Sequence, residues 1–253
     1  MTGSTPTAIE EAVRICETAA DEGITVRLAG GLAIQYLTPE FPPRGGDGQD
    51  LDLATLSSDR RSLTQFLTGR GYVADQTFNA LYGHKQLYFQ SAETGRSLDV
   101  LVDRLHMCHT VEFAGRLGRM PVTLDLTDLL LTKLQIVELN EKDAQDVLFL
   151  CSAYPVRDGD EPGTIGLDRI RPIVGNDWGW WRTITLNLDR IIALASDDRG
   201  KLIPAGGQHH PVEQLAALAT AIDAAPKSLR WKARAKVGER VRWYEMPEET
   251  PHH

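Results

Sequence analysis

A chain of 253 residues, 42% apolar and 25% charged, can build one large domain or two small ones around a packed core, which excludes a disordered tail protein. A net charge of −8 excludes a protein that is basic throughout. Cys16, Cys108 and Cys151 are far apart and form no CxxC, which excludes a disulfide framework and a zinc site and fits reduced thiols in a cytoplasm. The start, Met1 to Pro6, lacks the basic and apolar regions of a secretory signal, and no apolar run is long enough to span a bilayer, so no membrane partner is expected.

Apolar residues Ile9, Ala12, Val13, Cys16 and Ala19 predict a helix over Thr7–Asp21 that stops at Gly23. Ile24 to Ala29 reads as a strand ending at Gly30-Gly31, with a short helix from Leu32 to Leu37. Thr38 to Gly48 is rich in proline and glycine and must be a loop. Asp50 to Leu56 is the next strand, and Ser58 caps a helix running to Thr68. Tyr72–Phe78, Gln86–Phe89 and Leu98–Val102 read as strands, the last two joined by a hairpin at Glu93–Arg96, and Pro121–Leu124 as a last extended piece. From Thr127 onward the pattern is helical with no convincing strand. Helices are expected over Asp128–Leu139 and Asp143–Ala153, then a linker over Tyr154–Thr164. More follow over Leu167–Val174, Trp178–Ala195, Val212–Ala224 and Lys227–Arg242, with Asp177 as an N-cap and Pro211 as a first helical residue. The expected class is α+β: a mixed sheet with helices in residues 1–125, then an all-helical domain in residues 126–253.

Three pieces of the first half point to phosphate chemistry. Glycines at 30 and 31 let backbone N–H groups approach a phosphate. Asp50 and Asp52 alternate on one strand, so both carboxylates face the same side and can share a divalent metal. Two like charges so close cost stability unless a cation joins them. Asp99 sits among apolar neighbours on another strand, where an unpaired carboxylate is expensive, so a metal or cationic partner is the economical explanation. Together the three acids can hold two metal ions for in-line phosphoryl transfer.

These residues resemble the nucleotidyltransferase superfamily, whose fold is that of the DNA polymerase β palm. The stretch Asp128 to Leu134 with Lys142 to Leu148 is similar to the DLLxxKL and KDxxD pattern of AbiEii/MenT-type nucleotidyltransferases of bacterial toxin–antitoxin systems. The resemblance covers residues 24–150 and implies Mg²⁺-dependent transfer, with two ions, of a nucleoside monophosphate from an NTP to an acceptor. It implies that Gly30 and Gly31 hold the triphosphate, that Asp50 and Asp52 ligate Mg²⁺, and that Asp99 ligates the second ion or takes the acceptor's proton. Lys133 would neutralise phosphate charge, and Asp143 or Asp146 would position Lys133 or the nucleotide, in a cleft between the two halves. Arg44 stands in for an arginine that family members carry before D-x-D. Asn140 and Glu141 occupy the place of a second one.

The acceptor that the resemblance favours is RNA, the tRNA 3′ end, with an antitoxin protein as a possible partner. A protein or a small acceptor such as an aminoglycoside is the alternative, and a non-catalytic binding or antitoxin-type module is the second class. A metal-dependent phosphohydrolase is a weaker third, since no His/Asp cluster has the spacing. Residues 227–242 hold seven basic side chains against one acid, a local +6 that leaves −14 on the rest. Trp231, Trp243 and Tyr244 interleave with this stripe as in a nucleic-acid contact, or it is a solvated helix face. His84 and Lys85 read as a surface turn that could face the cleft, Trp178, Trp180 and Trp181 beside Arg182 as core, and His209-His210 as a turn.

Overall fold

The computed structural model describes residues 6–42, 50–197 and 202–246. The chain divides into two compact units, Met1–Leu105 with Glu112–Asp125 and His106–Val111 with Leu126–His253.

In the first unit, α1 (Ala8–Asp21) opens on a reciprocal cap. The Thr7 hydroxyl accepts from the Glu10 N–H, and the Glu10 carboxylate accepts from the Thr7 N–H. Its buried stripe of Ala8, Ala12, Ile15, Cys16 and Ala19 follows the helical repeat. β1 (Val26–Leu28) is shorter than expected and runs straight into α2 (Gly30–Leu37). After β2 (Leu51–Thr55) comes α3 (Arg60–Thr68). Ser58 does not cap α3. Asp59 occupies the cap position, and its side chain is drawn off to accept from the Thr25 N–H at 3.0 Å.

The expected strand at Tyr72–Phe78 is only half present. β3 (Tyr72–Ala74) stops because Asp75 caps a new helix, α4 (Gln76–Tyr82), by accepting from the Phe78 N–H at 2.8 Å. β4 (Gln86–Ser91) and β5 (Ser97–Val102) form the anticipated hairpin. β6 (Arg104–His106) and β7 (Thr110–Glu112) form a small ribbon that the periodicity did not reveal. The expected extended piece at Pro121–Leu124 is reduced to one bridge from Thr123 to Leu28, with bends at Pro121 and Val122.

The main sheet has the order β1-β2-β5-β4-β3. All its pairs are antiparallel except β2 with β5, which is parallel. Leu51, Leu53, Leu87, Phe89, Leu98 and Val100 are buried on one face. Each such side chain stabilises by roughly 1.5–3 kcal/mol. Asp52, Gln86, Tyr88 and Asp99 alternate with them and lie half-buried on the other. Glu11, 1% exposed, ties this unit together: its carboxylate accepts from Tyr72 Oη at 2.7 Å and from Arg96 at 2.5 Å.

The second unit is helical but not wholly so. α5 (Leu126–Leu134) ends before the expected Leu139, and α6 (Glu141–Ala153) follows. The expected linker carries β8 (Val156–Arg157), which pairs in parallel with β9 (Ile165–Gly166), so two short strands exist where none was anticipated. α7 (Leu167–Asn176), α8 (Trp178–Asp197), α9 (Pro211–Ala224) and α10 (Leu229–Val237) complete the unit. Asp177 caps α8 by accepting from the N–H groups of Gly179 and Trp180. The basic helix stops at Val237 because Gly238 turns at φ +59°, and Arg234 donates to the carbonyls of Gly238 and Val241. Among the described residues no helix is long and apolar enough to cross a membrane.

Candidate active site

The parallel pairing of β2 with β5 sets Asp52 directly opposite Asp99. Partners in register share a face, so two residues far apart in sequence present carboxylates to the same polar side. Gln86 on β4 donates from Nε2 to Asp99 Oδ1 at 2.5 Å, and Tyr88 is the cross-strand partner of Asp99. Gln86 escaped the sequence reading. Its alternation marks the right face, but only the strand register brings it to Asp99.

Gly30 is the first residue of α2 and has φ +63°. A Cβ there would overlap the Asp52 carboxylate, with Asp52 Cγ only 2.9 Å away. The Ala29 N–H donates to the Asp52 carbonyl at 2.8 Å, which fixes this approach. Gly30 and Gly31 supply the first N–H groups of α2, and the first N–H groups of a helix have no intrahelical partner. Asp50 is exposed, one residue before β2 and two before Asp52. Among the described residues, no three His, Cys, Asp or Glu side chains are gathered closely enough to hold a metal ion. Arg44 lies outside the described residues.

In the second unit, Lys133 on α5 reaches two acids of α6. Its Nζ donates to Asp143 Oδ1 at 2.7 Å and lies 3.0 Å from Asp146 Oδ2. Asp143 and Asp146 are one turn apart and share a helix face, as their i, i+3 spacing requires. All three are buried, at 9%, 7% and 2% exposure, so the charges depend on one another. Asn140, which stands where the resemblance places an arginine, caps α6 by accepting from the Asp143 N–H at 2.9 Å. Asp128 of the same motif is buried and paired with Arg169 at 3.0 Å, a tie to α7.

The remaining candidates fall elsewhere. His84 and Lys85 occupy an exposed turn before β4. His210 precedes α9 and Pro211 is its first residue. Trp178 and Trp180 are buried, and the ring of His109 stacks on Trp180 at 4.7 Å. Burial pushes His109 down to about 4, against the opposing pull of Asp177 and Glu245. Burial raises the Cys16 and Cys151 thiols to about 12, so neither is a nucleophile at neutral pH.

No family model and no curated protein matches the chain. Among solved structures it is similar to an antigenic nucleotidyltransferase-like protein from Paracoccidioides brasiliensis, with 14% identity and a TM-score of 0.42 over 89% of this chain and 96% of the other. It is also similar to the antibiotic-resistance factor ANT(2'')-Ia, with 13% identity and a TM-score of 0.40 over 75% of this chain and 96% of that one. A third likeness is to the STING-associated CdnE c-di-GMP synthase from Capnocytophaga granulosa, at 12% identity and a TM-score of 0.27, covering 90% of this chain and 85% of that one.

Proposed function

We propose that this chain is a divalent-metal-dependent nucleotidyltransferase that moves a nucleoside monophosphate from an NTP to an acceptor hydroxyl. The observation that carries the reading is the register of Asp52 against Asp99, with Gly30 pressed on Asp52 at the start of α2. Like charges opposite each other on adjacent strands repel, and a divalent cation reverses that. Carboxylate oxygens are the hard donors that Mg²⁺ prefers, and the missing Cβ at residue 30 leaves the Asp52 carboxylate its room. Asp52 and Asp99 would hold one ion, with Asp50, exposed just ahead of β2, as the third acid of a site for two. Mg²⁺ bound there supplies charge neutralisation on the triphosphate and on the developing oxyanion.

The chain's own groups do the rest in this reading. The N–H groups of Gly30 and Gly31 bind phosphate oxygens. The acceptor oxygen attacks the α-phosphorus, the bond from α-phosphorus to the bridging oxygen breaks, and pyrophosphate leaves. The hydroxyl proton passes to a carboxylate, a role for Asp99 where it does not ligate an ion. Lys133 is the basic residue that the resemblance assigns to phosphate, and Asp143 and Asp146 hold its ammonium group within the second unit. RNA is the acceptor this reading favours, because the stripe at 227–242 gives an otherwise acidic chain a local +6.

The test is transfer of label from each α-labelled NTP, with Mg²⁺, to total tRNA, protein or an aminoglycoside in parallel. RNA is expected to be labelled, and Asp52→Asn or Asp99→Asn should lower transfer to background. Labelling of the aminoglycoside alone would keep the enzyme and replace the acceptor. No labelling of any acceptor would overturn the enzyme reading and leave a non-catalytic nucleotide-binding fold.

A further inference from the structure

A cavity of about 690 Å³ lies wholly within the second unit, and of its lining only the basic stripe at 227–242 entered the choice of acceptor above. Three separated stretches line it: the ribbon tip at 106–110, the junction of α7 with α8, and α10 with the segment after it. Four of the chain's five tryptophans, Trp178, Trp180, Trp231 and Trp243, form its walls. Trp178 meets Trp243 edge-on at 6.0 Å, and Trp243 meets Tyr244 in the same way at 5.4 Å. Gly179 belongs to this wall, since a Cβ there would stand 2.5 Å from the Trp243 carbonyl oxygen and 3.4 Å from His109.

The charges select the ligand. Arg234 already sits over the Trp178 ring at 4.8 Å, so that cation–π position is filled from within. A cationic guest would add to Arg230, Arg234 and Arg242, all of which line the cavity. The two acids of the lining are engaged: Asp177 caps α8, and Glu245 accepts from or pairs with His106 at 2.9 Å. Arg230 and Arg242 are exposed and have no ion-pair partner among the described residues. Arg242 only approaches the Tyr244 ring, at 5.8 Å. Aromatic walls with two available guanidinium groups suit a planar ring carrying a phosphate, and the volume falls in the range of small-molecule sites, roughly 300–1,000 Å³.

We propose that this cavity is a nucleoside-phosphate site, in which the base packs against the indole walls and Arg230 and Arg242 hold the phosphate. It does not require the transfer reaction. The phosphate ligand is a free mononucleotide or the end nucleotide of a single-stranded RNA.

All five tryptophans lie between residues 178 and 243, so intrinsic fluorescence reports this unit directly. The full chain, without Mg²⁺, is titrated with AMP, GMP, CMP and UMP, and separately with adenosine, inorganic phosphate and a short 5′-phosphorylated oligoribonucleotide. Saturable quenching by at least one mononucleotide is expected, with adenosine and inorganic phosphate weaker by about tenfold or more. R230A/R242A should abolish saturation and R230K/R242K retain part of it, with melting unchanged because both side chains are exposed. D52N should bind as the parent does, which separates this site from the proposed transfer site. An oligoribonucleotide that binds tighter than its mononucleotide assigns the ligand to an RNA end; equal binding assigns it to the free nucleotide. Absence of saturable quenching, binding unchanged in R230A/R242A, or binding lost in D52N would each overturn the proposal.

Discussion

A methyl group on the Cα of residue 30 would land on the Asp52 carboxylate, in a backbone conformation, φ +63°, that L side chains avoid. Gly30→Ala is therefore expected to cost about 1 kcal/mol or more in a urea titration and to lower nucleotidyl transfer further than that loss of stability explains. Equal loss in both readouts would reduce Gly30 to a structural glycine. His109 carries a different signal. It is 8% exposed, its Nε2 lies 2.8 Å from Thr183 Oγ1, and burial holds it down to about 4. Asp177 and Glu245 oppose that shift and His106 adds to it. Between the ordinary histidine value near 6.5 and 4, the unfolded chain takes up a proton that the folded chain refuses, so stability falls as pH falls. This group should cost on the order of 2 kcal/mol on going from pH 7 to pH 5. His109→Phe should flatten that slope in denaturation midpoints, and an unchanged slope would refute the assignment. Nothing in the sequence flags His109, because its burial comes from contacts with residues far along the chain.

Helix α5 is joined to α6 by Lys133, and the join depends on matched burial of three charges. Removing the cation leaves two carboxylates inside the protein. Lys133→Met should thus lower stability by roughly 3–5 kcal/mol, and Lys133→Arg by much less, as read from urea midpoints at constant m. Glu11 has the same logic in the first unit: Glu11→Ala removes the buried carboxylate that pairs with Arg96 and accepts from Tyr72. The i, i+3 spacing of Asp143 and Asp146 was legible in the sequence, and so was the short chain distance to Lys133. Element boundaries were less so. Tyr72–Phe78 carries an alternation that suits a strand, yet the Asp75 side chain satisfies the Phe78 N–H and starts a helix. The pair β8–β9 was hidden because two residues are too few to establish a period.

Charge belongs to the whole molecule. With a sequence pI of about 5.4, net repulsion between copies vanishes in the same range where His109 weakens the fold. Solubility should pass through a minimum near that pH, and the minimum should remain in His109→Phe, since one neutralised histidine leaves the carboxylates unchanged. Light scattering against pH, run beside the denaturation series, separates the two effects; loss of the minimum in the variant would tie solubility to unfolding instead. The stripe at 227–242 was visible as composition, but its division was not. Arg234 is spent on the carbonyls that end α10, while Arg230 and Arg242 stay available at the cavity. The sequence by itself determined the α+β class, most helices, the Asp177 cap, the glycine pair and the acids, because periodicity and capping are local properties of the backbone. Only the tertiary structure decided that Asp52 lies in register with Asp99, that Gly30 leaves room for one of these carboxylates, and that four tryptophans from two distant stretches line one cavity. Those facts depend on strand register and on packing between distant segments, and neither has a local pattern from which it could be read.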